Sequence, residues 1–127
     1  MRWILVPLLV LHALIHLLGV PLAWGGTVAG MAGGTLVPLG DVALRIAGVA
    51  WLGACLALLL AALGVAFGRD WWRPVAIVAV MLSQALIVVW WPDARAGTLA
   101  NILILAIVVW RPGLAVWRAA LKAEARW

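Results

Sequence analysis

Residues 11–19 have the sequence Leu-His-Ala-Leu-Ile-His-Leu-Leu-Gly and contain both histidines of the chain, His12 and His16. They lie inside an apolar run, and their separation of four residues places both imidazoles on one face of an α-helix. Ionisable side chains at membrane depth are costly and face a protein interior rather than lipid. We therefore expect the rest of the chain to pack around this face.

The composition is typical of an integral membrane protein. Of the 127 residues, 69% are hydrophobic and 10% are charged, and the mean hydropathy is +1.22. A domain of this size buries about two thirds of its unfolded surface, so the apolar excess must face a lipid bilayer. The net charge of +5 does not indicate nucleic acid as a partner, because the basic residues lie at the ends of apolar runs.

Four apolar runs reach the ~20 residues that cross a hydrocarbon core of ~30 Å, and helices are the form that satisfies their backbone in lipid. The predicted helices cover about 2–22, 42–67, 73–91 and 95–111. The sequence therefore predicts an all-α membrane protein in which residues 1–127 form one domain, a four-transmembrane-helix bundle.

After residue 112 a basic stripe runs opposite an apolar stripe, which predicts a C-terminal amphipathic surface helix over about 113–126. Such a helix lies on the membrane with its cations at anionic head groups. The residues expected to contact the membrane surface are Trp117, Arg118, Lys122 and Arg126.

The distribution of lysine and arginine predicts the orientation in the membrane. If four helices alternate, one side receives Arg2, Arg69, Arg73, Arg111, Arg118, Lys122 and Arg126, and the other receives Arg45 and Arg95. Both termini are therefore expected in the cytoplasm. Tryptophan favours membrane interfaces, which predicts Trp3, Trp71, Trp72 and Trp110 at the inner one and Trp24, Trp90 and Trp91 at the outer one.

The first loop, residues 23–41, is rich in glycine and almost uncharged. We expect it to fold back onto the outer membrane surface, with a short helical turn near 27–32. At the end of the third span, Asp93 is placed to cap the fourth helix.

The second span carries small residues that are alternately four and three positions apart. Such a stripe forms a groove in which another helix can approach closely. The partner is another helix of this chain, another membrane subunit or a second copy in a homo-oligomer. The groove residues are Ala50, Ala54, Ala57, Ala61 and Gly64.

Polar residues of three spans are predicted to meet at one depth. With a rise of ~1.5 Å per residue, His16, Gln84 and Asn101 each lie about 9–11 Å below the outer boundary. Thr98 is one turn shallower and His12 one turn deeper. Hydrogen bonds between helices, worth ~1 kcal/mol each, would explain this layer without any ligand. The candidate ligand-binding residues are nevertheless these five, His12, His16, Gln84, Thr98 and Asn101.

Several functions are compatible with the layer. The leading hypothesis is a non-catalytic binding module or an accessory subunit of a membrane complex. One alternative is a redox or photosynthetic subunit that holds a haem, chlorophyll or quinone through His12 or His16. Another is a small-solute or proton pathway. A metal site has little support because no carboxylate lies at that depth, and nucleophilic catalysis has little because Ser83 and Thr98 have no visible base.

Three segments resemble a group of small four-helix bacterial inner-membrane proteins that have no assigned activity. They are residues 2–19 with the histidine pair, residues 82–85 (Leu-Ser-Gln-Ala), and residues 91–103, which contain Asp-Ala-Arg-Ala-Gly-Thr-Leu-Ala-Asn. The resemblance covers most of the chain in outline. It implies the four-helix architecture and a location in the bacterial inner membrane, and it implies no activity.

Overall fold

The computed structural model describes the backbone of residues 2–124 and the side chains of residues 2–110, 122 and 123. Over residues 2–124 all regular structure is α-helical, which confirms the predicted all-α class. The helices are α1 (Arg2–His16), α2 (Gly19–Ala23), α3 (Asp41–Ala66), α4 (Trp72–Val89), α5 (Trp91–Ala94) and α6 (Gly97–Glu124). Of the predicted surface residues, Lys122 is exposed, whereas Arg126 and the side chains of Trp117 and Arg118 lie outside the described part.

Three stretches of the described residues are long and apolar enough to cross a bilayer, namely Arg2–Ala23, which joins α1 and α2, then α3 and α4. In α6 the apolar segment Gly97–Trp110 is shorter. Large apolar side chains cover the outside of the bundle. Val42 and Met81, for example, are 73% and 65% exposed. An apolar exterior of this extent is typical of a surface that contacts membrane.

The first predicted helix is divided in two between His16 and Gly19. Pro21 has no N–H to donate to the carbonyl of Leu17, so the regular hydrogen-bond pattern is interrupted. The chain tightens there, and the N–H of Leu18 bonds to the carbonyl of Ile15 at 3.0 Å. Gly19 follows directly, and a Cβ at this position would overlap the indole ring of Trp51.

The predicted end of the fourth helix at residue 111 is wrong, because α6 continues through Pro112 to Glu124. A proline weakens a helix but does not always end it, and membrane helices tolerate proline within a span. The 28 residues of α6 correspond to a length of about 42 Å, more than a hydrocarbon core of ~30 Å. The separate helix expected over 113–126 is, as far as Glu124, the continuation of α6.

Helix α3 lies at the centre of the bundle and packs against α1, α2 and α4, and α6 packs against α4. The small-residue stripe of α3 is used in this packing. Ala54 and Ala61 are 0% exposed, and a Cβ at Gly64 would come within 2.6 Å of Trp72 Cβ. Ala50 and Ala57 are half-buried beside the core. Helices of this chain therefore fill most of the predicted groove.

Residues 24–40 are fixed to the end of the bundle, which we call the loop end. The carboxylate of Asp93 accepts the N–H of Ala32 at 3.0 Å and that of Gly33 at 2.8 Å. The N–H of Leu36 bonds to the carbonyl of Val89 at 2.7 Å. Asp93 therefore holds this loop, and the expectation that it caps the fourth helix is wrong. Instead of the expected helical turn, residues 28–31 form a single hydrogen-bonded turn.

Candidate functional site

The two histidines face the interior of the bundle. Leu5, Leu9, His12 and His16 are all buried, and their spacings of four, three and four residues define one face of α1. His12 is 3% exposed and His16 is 1% exposed. The imidazoles therefore contact side chains of the other helices, as the cost of polar groups in lipid predicts.

Asn101 of α6 is the centre of the hydrogen bonds that join the helices. Its Oδ1 lies 2.8 Å from His12 Nε2. Its Nδ2 donates to Ser83 Oγ and to Gln84 Oε1, both at 3.0 Å. Gln84 Nε2 in turn donates to Thr98 Oγ1 at 3.1 Å. Its Oδ1 also lies 3.1 Å from Ser83 Oγ. Through these contacts of its oxygen and its nitrogen, the amide of Asn101 links α1, α4 and α6.

His16 completes the network through both of its ring nitrogens. Nδ1 donates to the backbone carbonyl of His12 at 2.8 Å, so the neutral ring carries its proton there. Nε2 is then free to accept the hydroxyl proton of Ser83, whose Oγ is 2.8 Å away. The rings of His12 and His16 meet edge to face at 4.7 Å. The serine has one proton, and we place it on this contact because the distance to Asn101 Oδ1 is longer, 3.1 Å. Each hydrogen bond then has one direction with both imidazoles neutral.

The structure thus brings together all five predicted candidate residues, His12, His16, Gln84, Thr98 and Asn101, and adds Ser83. We call these six residues the polar cluster. Ser83 was not among the candidates although it is next to Gln84 in the sequence. The sequence did contain a signal for Ser83, because a hydroxyl one residue from Gln84 lies within ~1.5 Å of the same depth in the membrane.

Ser83 and His16 have the geometry of a nucleophile and its base, which the sequence did not reveal. The His12 carbonyl orients the imidazole, and Ser83 Oγ is within hydrogen-bond distance of Nε2. However, Ser83 is 0% exposed and its oxygen also accepts a bond from Asn101. Because Ser83 does not border the neighbouring cavity, a substrate carbonyl has no contact with it.

A cavity of about 210 Å³ borders the two histidines at the loop end of the bundle. Its walls include Trp51 of α3, Ile87 of α4 and Gly97 of α6. Met31 contributes to the wall from the loop that Asp93 holds in place. Of the polar cluster, only His12 and His16 are among the described residues that line it. Most of the remaining lining is apolar.

Two tryptophans of this wall have indole N–H groups without a hydrogen-bond partner. Trp51 is 5% exposed and Trp90 is 1% exposed, and the Nε1 atom of each is buried and unpaired within the described residues. The two rings meet edge to face with centroids 5.8 Å apart, and Trp51 also lies 5.1 Å from the ring of His16. Trp90 and Trp72 were predicted to mark the outer and inner interfaces. They are 1% and 3% exposed, so their side chains face the bundle and not the surrounding membrane.

The size of the cavity limits what it can hold. At about 210 Å³ it exceeds the ~150 Å³ apolar cavity that takes up benzene, and it is below the ~300–1,000 Å³ of sites for drug-sized ligands. One substituted ring fits this volume, whereas the four pyrrole rings of a haem or chlorophyll do not. Axial ligation by His16 would also break one of its two hydrogen bonds. The geometry therefore gives no support to a tetrapyrrole.

The described residues contain no group of three histidine, cysteine or acidic side chains that could hold a metal ion. A larger cleft of about 580 Å³ lies at the loop end, but it contacts none of the polar cluster. Its lining is mostly exposed and includes Trp24, Asp41, Arg45 and Val49. The cavity beside the histidines is therefore the stronger candidate for a binding site.

Comparisons with protein-family models, with curated proteins and with solved structures find no match to this chain.

Proposed function

We propose that this chain is a non-catalytic membrane protein that binds one small, mainly apolar molecule in the cavity beside His12 and His16. The observation that carries the proposal is a mostly apolar pocket of about 210 Å³ whose wall includes both imidazoles of an internally paired polar cluster. Ile15 and Leu18 of its wall are 56% and 41% exposed, so the pocket opens to the outside of the bundle, from which a small apolar molecule can enter.

The state of the polar cluster favours binding over catalysis or transport. Every nitrogen and oxygen of the Asn101 amide is already used within the protein. The serine hydroxyl and both nitrogens of His16 are used as well. A proton or solute pathway requires groups that exchange partners with water. The described cluster instead joins three helices and forms one wall of the cavity.

The proposed topology has four spanning helices. Although its apolar segment is short, α6 places Thr98 and Asn101 in hydrogen bonds with the spans α1 and α4. This alignment supports a fourth span alongside the other three. The excess of basic residues on one side supports cytoplasmic termini, and the resemblance of residues 91–103 supports the bacterial inner membrane.

Lipid is the partner that the surface favours. The small-residue stripe that suggested a second subunit is largely occupied by this chain, with Ala54 and Ala61 fully buried. Large side chains such as Leu56 and Leu63 remain on the outer face of α3, 58% and 52% exposed. These faces suit acyl chains, and the proposal is a binding module rather than an accessory subunit.

Methyl NMR tests the proposal with a control inside the same molecule. The chain has three methionines, of which Met31 lines the cavity and Met81 lies on the outer surface. With 13C-labelled methionine methyls in micelles, we expect toluene to shift the Met31 signal saturably and the Met81 signal in proportion to its partitioning into detergent. Met31→Leu assigns the first signal.

A pair of alanines on α6 provides matched variants. Ala100 lines the cavity, whereas Ala106 is exposed on the outer face. Ala100→Leu should fill the cavity and abolish the saturable shift of Met31, and Ala106→Leu should leave it unchanged. A Met31 signal that follows toluene in the same linear way as Met81 would show that the cavity binds nothing.

A further inference from the structure

We infer that the larger cleft at the loop end binds the phosphoethanolamine head group of a phospholipid. This cleft, of about 580 Å³, is separate from the cavity beside the histidines. Its volume lies within the ~300–1,000 Å³ that is typical of sites for small organic molecules. The charged residues among its described lining are Asp41 and Arg45, so the cleft offers one charge of each sign.

Trp24 is held in place as a wall of this cleft. Its indole N–H donates to the backbone carbonyl of Arg45 at 3.2 Å. The ring also lies directly against Gly48, where a Cβ would overlap it. Ala23 and Gly25, on either side of Trp24, line the cleft together with the first turns of α3. The cleft therefore lies between the end of α2 and the start of α3, and packing against α3 defines its shape.

The charged groups of the cleft are accessible to a ligand. Asp41 is the first residue of α3, directly after the N-cap Gly40, and its side chain is exposed. The hydrogen bond with Trp24 uses the backbone of Arg45 and leaves the guanidinium exposed. A guanidinium binds phosphate through paired N–H donors, and a carboxylate accepts the N–H groups of an ammonium. A head group that carries both charges satisfies both side chains, whereas an anionic one meets like charge at Asp41.

The order of the two charges along α3 matches the order of the charges in a phospholipid. Arg45 lies one turn further into the span than Asp41, a rise of about 6 Å. In a phospholipid the phosphate is attached to the glycerol that carries the acyl chains, and the ammonium is at the free end. With its phosphate at Arg45 and its ammonium at Asp41, the lipid directs its acyl chains along α3 into the membrane.

The same side of α3 continues as exposed apolar surface beyond the cleft. Val49 lines the cleft one turn beyond Arg45 and is 63% exposed. Leu52 and Leu56, which follow on the next two turns, are 39% and 58% exposed. Spacings of three and four residues keep these side chains on one side of the helix. This side is charged at its end and apolar further in, as a molecule with a charged head and acyl chains requires.

Competition between two lipids with identical acyl chains tests the head-group preference. Protein in micelles is incubated with equal amounts of dioleoyl phosphatidylethanolamine and dioleoyl phosphatidylglycerol, and native mass spectrometry measures the lipid that stays bound. We expect the first bound lipid to be phosphatidylethanolamine with a preference of about fivefold, the effect of one additional charge contact. In 15N-labelled protein, phosphatidylethanolamine should also shift the indole signal of Trp24, which Trp24→Phe assigns.

Charge variants of the exposed pair assign the preference to the cleft. Asp41→Asn should remove the preference, and Arg45→Gln should lower the retention of both lipids. The double variant Asp41→Arg with Arg45→Asp keeps the net charge and reverses the order of the charges along α3, so it should also lose the preference. Arg95→Gln is the control, because Arg95 is exposed near the same end of the bundle and does not line the cleft.

Equal retention of the two lipids by the unchanged protein would overturn the inference, as would a preference that persists in the charge-reversed variant. Free O-phosphoethanolamine separates a lipid site from a site for the head group alone. Without acyl chains it should bind far more weakly than the lipid and leave the Trp24 signal in place. A shift of Trp24 that saturates at the same concentration with both would show that the acyl chains contribute nothing and that the site is not one for a lipid.

Discussion

The polar cluster and the cavity share the imidazoles of His12 and His16, but their hydrogen-bonding states are opposite. On the side of the cluster, donors and acceptors from α1, α4 and α6 pair at 2.8–3.1 Å. Beside the cavity, the indole N–H groups of Trp51 and Trp90 are buried and have no partner among the described residues. The two regions are neighbours in the same bundle and pack against the same rings.

This difference shows which polar groups indicate a ligand in a membrane protein. Buried polar residues alone do not, because side chains that pair with one another join helices and need no further partner. Here the polar cluster is paired within the protein, and the proposed binding site is the pocket on the other side of the two histidines.

The largest expected effect follows from breaking the cluster at its centre. Asn101→Leu removes the hydrogen bonds of Asn101 to His12 Nε2, Ser83 Oγ and Gln84 Oε1 and should lower the free energy of unfolding by about 2–4 kcal/mol. Denaturant unfolding in micelles measures the change. The control is Ile102→Ala on the same helix, where the side chain is 59% exposed and a change within about 0.5 kcal/mol is expected. Equal stability of the two variants would contradict a structural role for the cluster.

A smaller loss of stability is expected when the indole of Trp51, in the wall of the cavity, is displaced. Gly19→Ala introduces a Cβ where the indole of Trp51 lies, and overpacking of this kind costs about 1–3 kcal/mol. The displaced ring should also abolish saturable toluene binding. At Gly53 the new Cβ would meet Leu82 Cδ2 at an ordinary 3.9 Å. Gly53→Ala should therefore keep binding and stability. Unchanged toluene binding in Gly19→Ala would show that Trp51 does not form the wall.

The smallest effect on global stability is expected at the loop that closes the cavity. Asp93→Ala removes the acceptor of the Ala32 and Gly33 N–H groups, so their amide hydrogen exchange should accelerate. The N–H of Leu36 keeps its bond to Val89 and should exchange as before. Asp70→Ala, an exposed acidic residue in the turn before α4, is the control and should change none of these rates. Slow exchange at Ala32 in Asp93→Ala would show that the carboxylate does not hold the loop.

The sequence predicted the polar cluster because its geometry depends on residue spacing within single helices. The i, i+4 spacing of His12 and His16 fixes their face, and a constant rise per residue aligns Asn101 and Gln84 with them. The depth argument assigns Gln84 to the layer and leaves out Ser83, the preceding residue, although both contact Asn101.

The cavity could not be predicted in this way because residues that are far apart in the sequence form it. Met31 reaches the wall from a loop that is held by Asp93, some 60 residues later, and by the carbonyl of Val89. Trp90 and Trp91 give the same signal in the sequence, that of tryptophans at the end of a span. Helix α4 ends at Val89 and helix α5 begins at Trp91. At this change of direction Trp90 is 1% exposed and Trp91 is 39% exposed. The contrast depends on a turn that the hydropathy pattern does not show.

Xenon uptake by crystals of the protein tests the central claim most directly, because xenon enters apolar cavities and is located by its anomalous scattering. We expect a xenon atom in the cavity, in contact with Trp51, Ile87 and Trp90, and none in crystals of Ala100→Leu. Ordered waters bonded to both indole N–H groups, with xenon only on the outer surface, would contradict the claim that this cavity is an apolar binding site.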